Sequence, residues 1–197
     1  MATAHNIKRA FQLFDNANRE DPNTEVFEGK THAKELLYAQ RMTERLSIFA
    51  PDASEALQLT ARCQHICRWE IARDTYDMNR EGYLRWRQAL KKFHAAKAAS
   101  ILEKVGYSKE VINQVQFLLE KKHLKKNEET QTLEDVICLV FLEYYFEPFA
   151  AKHPEEKTIA ILRKTWRKMS DKGQTAALKL PLSESALQLV SRAINAL

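Results

Sequence analysis

Glycine and proline are scarce, four and five among 197 residues, and none of the glycines stands in a Gly-rich phosphate loop, a Walker sequence, a GxSxG elbow or a dinucleotide fingerprint. That sets aside P-loop, serine-hydrolase and Rossmann chemistry. Three cysteines, Cys63, Cys67 and Cys138, form no CxxC pair and leave an odd count, which argues against a disulfide framework and a zinc ribbon and fits a reduced compartment. Cys63 and Cys67 stand one helical turn apart and read as buried structural thiols. The longest apolar run, Val136 to Phe141, is far too short to span a bilayer. The first residues contain no apolar stretch of the secretory kind, so a cytoplasmic location is expected and no membrane partner.

What the chain does contain is helical pattern. Ile7, Ala10, Phe11 and Phe14 recur at helical spacing, as do Leu36, Leu37, Met42, Leu46 and Phe49, and the period running from Ala56 through Cys63 and Ile66 extends to Trp69. Ser108, Pro154 and Ser183 precede acidic first turns, while Gly106 and Gly173 follow helical stretches as C-terminal stops. Asp21-Pro22-Asn23 and Arg73 to Gly82 read as loops. Val136 to Phe141 has β-propensity but continues the helical pattern from Leu133 to Phe149, and no convincing strand emerges. With 45% hydrophobic and 29% charged residues, one all-α domain over residues 1–197 is expected.

The charge is concentrated. Between Arg62 and Lys97 nine basic side chains face four acidic ones, an excess equal to the whole chain's +5. Into this region fall His65 and His94, the latter beside small residues that permit close helix approach. Imidazoles and carboxylates drawn from facing helices are how a helical bundle builds a metal site that activates water. His65, His94 and Asp135, with His32 as a weaker fourth, are the candidate metal ligands, and Glu134 or Glu70 the candidate to orient or deprotonate water. Nitrogen donors favour Mn, Fe, Co, Ni or Zn over Mg. Arg68, Arg87, Lys92 and Lys97 are candidate phosphate-binding groups, since guanidinium forks match phosphate oxygens, and Lys164 heads a second basic cluster late in the chain. Each has an ordinary alternative: a histidine satisfied in the core, carboxylates favouring a helix N-terminus, basic side chains on solvated faces.

The order His32, then Gln64-His65-Ile66, then Phe93-His94-Ala95, then Glu134-Asp135 resembles the HD-domain phosphohydrolases over the middle two thirds of the chain. The resemblance implies an HD-like helical core over residues 30–150, with the helices of 151–197 packed on it. In that superfamily the central His is followed by Asp, and here Ile66 stands in its place. A closer resemblance covers nearly the whole chain. Glu35-Leu-Leu-Tyr38, Arg41-Met-Thr43, Arg68-Trp69, Arg80 to Arg87, Leu133-Glu-Asp135, Leu139 to Glu143 and Lys164 to Ser170 resemble domain-of-unknown-function family 4202. Some of its members carry a glutamyl-tRNA synthetase label, but this chain has neither nucleotide motif that such an enzyme needs.

The functional expectation is therefore binding of a phosphorylated small molecule or nucleotide, with hydrolysis through one transition metal as its catalytic form. A non-enzymatic RNA-binding module, using Trp69, Tyr83 and Trp86 as stacking surfaces, is the alternative, and a protein-interaction scaffold is the third.

Overall fold

The computed structural model describes residues 2–195, without the side chains of 2–5. Ten α-helices are described: α1 (Ala2–Arg19), α2 (Lys34–Phe49), α3 (Glu55–Cys63), α4 (Arg80–Val105), α5 (Lys109–Leu119), α6 (Glu128–Val140), α7 (Phe146–Ala150), α8 (Glu155–Lys168), α9 (Asp171–Ala177) and α10 (Glu184–Ile194). The helical class expected from the periodicity is what the chain adopts. No described helix is long and apolar enough to cross a membrane.

The residues divide into two compact units. One comprises the chain up to Ser47 and Pro51–Lys122; the other comprises Ile48–Ala50 and the chain from His123 onward. In the first unit, α1, α3, α4 and α5 pack through Ala10, Phe14, Leu59, Cys63, Ile66, Ala95, Ala98, Leu102, Val115 and Leu119. Each large apolar side chain withdrawn from water contributes roughly 1.5–3 kcal/mol, against about 0–1 kcal/mol for an exposed ion pair, so this core fixes where α3 and α4 lie. Cys63 and Cys67 belong to it, as structural thiols should, and burial raises the Cys63 thiol above its ordinary range. In the second unit α6 packs on α8 and α9, and α8 on α10, over Leu133, Val136, Leu139, Phe146, Leu162 and Val190.

Local chemistry explains most boundaries. Ser54, Asn79, Asn127, Ser170 and Ser183 each cap a helix by accepting a backbone N–H from its first turn. Gly106 ends α4 at φ +92°, the left-handed stop that its position suggested. Val136 to Phe141 is helical as expected, passing into a single wider turn over Phe141–Tyr145. Arg73 to Gly82 is loop only as far as Asn79, because that residue's cap starts α4 at Arg80.

Three expectations need correction. A two-stranded antiparallel hairpin, β1 (Thr24–Phe27) and β2 (Lys30–Ala33), precedes α2. Its two-residue turn, Glu28-Gly29, has φ +50° and +73°, the positive angles that suit the twist of a hairpin. Such short strands, half-exposed, leave almost no alternation to read. Gly173 is not a stop: it lies in the first turn of α9, buried so closely that a Cβ there would fall 2.6 Å from Asp135 Oδ1. Finally, the helix expected to reach Trp69 ends at Cys63.

That early end is imposed from another element. Cys67 adopts φ +50°, and its N–H is donated to Oδ1 of Asn18, 2.9 Å away and buried near the end of α1. The Asn18 amide also reaches the Glu35 carbonyl at 3.5 Å, and the Asp21 carboxylate accepts the Glu35 N–H at 3.0 Å. The start of α2 is thereby held against the turn 64–67. Asn18→Leu leaves the buried Cys67 N–H without an acceptor, so it is expected to lower unfolding stability by about 1–3 kcal/mol, read as a reduced urea midpoint; an unchanged midpoint contradicts this role.

Candidate functional site

The turn after α3 carries His65 and Arg68, and α4 crosses it with Arg87, Lys91 and His94. Together with Gln64, Leu90, Leu119 and Lys121 these residues line an open depression of about 250 Å³, surrounding solvent included, within the first unit. His94 is only 4% exposed and donates from Nδ1 to the Ile66 carbonyl at 2.9 Å. Because a carbonyl only accepts, that bond fixes the proton on Nδ1 and leaves Nε2 with its lone pair. Nε2 is buried and has no hydrogen-bond partner.

His65 lies between three neighbours. The Tyr38 ring stacks on it, centroids 4.2 Å apart, and the His94 ring stands at 5.9 Å. Its Nδ1 is 3.3 Å from Oε2 of Glu35, whose other oxygen is 4.0 Å from Nε of Arg68. The Arg68 guanidinium in turn lies 4.7 Å from the centre of the Trp86 ring, while the Trp86 indole N–H is anchored on the Ile71 carbonyl at 2.9 Å.

Electrostatically the pocket is rich in cations, and the carboxyl that faces His65 and Arg68, Glu35, is weakened. Burial, more than any neighbour, raises the Glu35 carboxyl to about 7. Burial, then Arg68 and Arg87, holds His65 well below its ordinary value, and burial followed by His65 lowers His94 to about 3. Burial and then the neighbouring Arg87 also pull Arg68 down. At neutral pH both imidazoles are therefore uncharged, Glu35 is poised between its two forms, and the charge in the pocket is that of the Arg and Lys side chains. An arrangement of that kind attracts an anion.

Of the residues singled out from sequence, His65, His94, Arg68 and Arg87 come together here. The others lie elsewhere. His32 sits on β2 opposite Glu25. Lys97 pairs with Glu70 at 2.7 Å, each partly exposed, which occupies both a candidate phosphate-binding cation and a candidate to orient or deprotonate water. Lys92 is exposed on α4, where its neighbour Lys91 lines the pocket instead. In the second unit, Lys164 is exposed on α8 and Glu134 is buried with Lys168 Nζ at 3.5 Å. Asp135 accepts hydrogen bonds from Ser170 N at 2.8 Å, Ser170 Oγ at 2.5 Å and Gln131 Nε2 at 3.0 Å, and so ties α6 to the start of α9.

A transition metal needs three donors turned to one point, and among the described residues no group of three or more His, Cys, Asp or Glu side chains is placed to hold one. His94 commits Nδ1 to a carbonyl and His65 faces Glu35 with its own Nδ1. The donor set therefore does not fit the metal expected from sequence. Lys91 and Lys121, which line the pocket, and Glu35 and Tyr38, which contact His65, are the residues that sequence reasoning passed over. The available signal was the acidic Glu35 directly before the apolar pair Leu36-Leu37, one turn from Tyr38.

Residues 8–190 match the model of a family described as a domain of unknown function (DUF4202). No curated protein and no solved structure matches the chain.

The buried imidazoles make acid stability a test of this geometry. An unfolded histidine takes up its proton near 6.5, whereas folded His94 does so only near 3. As pH falls through that window the unfolded chain binds a proton that the folded chain does not, and stability is lost at up to about 1.4 kcal/mol per pH unit for one such group. Urea midpoints of His94→Gln measured from pH 7 to pH 4 are expected to fall less steeply than those of the unaltered chain; parallel curves contradict the buried neutral imidazole.

Proposed function

Because the chain belongs to a family described only as a domain of unknown function, its pocket has to carry the assignment, and we propose that it binds the phosphoryl group of a phosphorylated small molecule. The observation carrying this reading is that Arg68, Arg87, Lys91 and Lys121 line one depression, while the Glu35 carboxyl that faces His65 and Arg68 is raised to about 7. Guanidinium groups meet phosphate oxygens with paired donors, and charge-assisted bonds of this type are the strong ones. The buried Nε2 of His94 adds a requirement that an oxyanion alone does not meet, because a lone pair needs an O–H. A phosphate monoester supplies both, as P–O⁻ oxygens and as a P–OH or a neighbouring alcohol. The depression is small and open, so most of such a molecule lies outside it.

The pairing of Glu35 with His65 favours a second reading, hydrolysis of the bound ester. With Nδ1 directed at Glu35, Nε2 of His65 is the nitrogen that accepts a proton from water. Water oxygen then bonds to phosphorus, the ester P–O bond breaks, and the departing oxygen is protonated from solvent.

Calorimetric titration with ribose 5-phosphate, followed by assay for released phosphate, tests both readings. One molecule is expected to bind per chain, Arg87→Gln to weaken it about tenfold or more, and Lys92→Gln or Lys97→Gln to leave it unchanged. Absence of binding, or equal losses in all three variants, contradicts the binding site; binding without phosphate release contradicts hydrolysis alone.

A further inference from the structure

Along α4, Tyr83, Arg87, Leu90, Lys91 and His94 follow the spacing of three and four residues that puts side chains on one face of a helix. Arg87, Leu90, Lys91 and His94 line the phosphoryl pocket, and the stripe ends outward on Tyr83, which is 46% exposed. Tyr83 stands one turn beyond Arg87, a rise of about 6 Å. Its ring lies 5.9 Å from that of Trp86, which carries Arg68 over its face.

The position of Tyr83 is built rather than incidental. The Arg73 guanidinium donates to the carbonyls of Tyr76, Asp77 and Asn79 at 3.0, 2.8 and 3.3 Å, folding the loop before α4 onto itself. Asn79 caps Gly82, and the loop passes so near that a Cβ at Gly82 would fall 2.1 Å from the Asp77 carbonyl oxygen. Arg85 pairs with Asp77 from the next position but one. A large, partly apolar ring is thus held at the rim of a cationic pocket by a pinned loop.

Resting on the phosphoryl-binding reading, we infer that the ligand is a phosphate ester carrying a flat ring one sugar's length from its phosphoryl group, the chemistry of a nucleoside 5′-monophosphate, and that Tyr83 is the surface on which the ring stacks. The alcohol groups of the intervening sugar meet the need for an O–H donor that buried His94 Nε2 leaves. The basic region offers a single base rather than a strand a place to stack. Trp86 is only 9% exposed and Trp69 packs against the core, so of the three aromatic residues that a strand-binding surface would need Tyr83 is the exposed one, its ring 5.9 Å from the Arg73 guanidinium.

The test compares adenosine 5′-monophosphate, ribose 5-phosphate and inorganic phosphate by calorimetry on the full chain, with Tyr83→Ala and Tyr83→Trp. Stacking of one base on an aromatic side chain is worth about tenfold in affinity or more. The unaltered chain is expected to prefer adenosine 5′-monophosphate to ribose 5-phosphate by about that factor. Tyr83→Ala should abolish the preference while leaving ribose 5-phosphate and phosphate unchanged, and Tyr83→Trp should retain it. Equal affinity of the unaltered chain for the two esters, or an equal loss for all three molecules in Tyr83→Ala, overturns the ring platform while the phosphoryl pocket stands. Failure of all three to bind the unaltered chain overturns the pocket and the inference with it.

Discussion

The hydrogen bond from the Cys67 N–H to Asn18 ends one helix and creates the site. Without an external acceptor, the segment from Glu55 has the apolar spacing to continue past Cys63, which would carry His65 and Arg68 around the helix at its regular pitch. Held by Asn18, Cys67 takes the left-handed conformation instead. For a residue with a Cβ that costs roughly 1–2 kcal/mol, about what the buried hydrogen bond returns. The same turn frees the Ile66 carbonyl to receive His94 and sets His65 against Glu35. One buried carboxamide thus coordinates α1, α2, the turn and α4.

The stability to sustain such a site comes from elsewhere. Two desolvated imidazoles, a buried carboxyl and a half-buried guanidinium are all unfavourable in isolation, as the directions of their titration shifts record. Beneath them the interlocked core of α1, α3, α4 and α5 fixes the backbone through apolar contact. Where a fold tolerates polar groups that weaken one another, an oxyanion brought from outside relieves the conflict among the cations, and an O–H on the same ligand answers the unpaired His94 nitrogen. The second unit spends its buried carboxylates differently. Asp135 there is consumed by Ser170 and Gln131, and its role is to fasten helices.

Much of this was legible in the sequence because it depends on local pattern. Helical class, the helix starts after Ser108, Pro154 and Ser183 and the stop at Gly106 follow from spacing and from the special chemistry of Ser, Pro and Gly. His65, His94, Arg68 and Arg87 stood out as imidazoles and guanidiniums in a basic stretch, and two of the four residues expected to ligate a metal, His65 and His94, do meet. What could not be read were relations between segments distant along the chain. Nothing near Glu35 announces that it lies buried against His65, and His32, more conspicuous by type, sits on a hairpin too short to leave a period. Glu70 and Lys97, separated by 27 positions, were assigned separate tasks although each is the other's partner. The break after Cys63 was invisible for the same reason, since its cause lies 49 residues earlier.

The central claim is that an oxyanion belongs where Arg68, Arg87, Lys121 and His94 line one depression. Crystals grown with tungstate, a tetrahedral oxyanion that scatters anomalously, locate such a group directly. The account predicts an anomalous peak in that depression, with oxygens within hydrogen-bonding distance of Arg68 or Arg87. A map in which tungstate binds only at other surface cations, with this depression filled by the protein's own side chains, contradicts it.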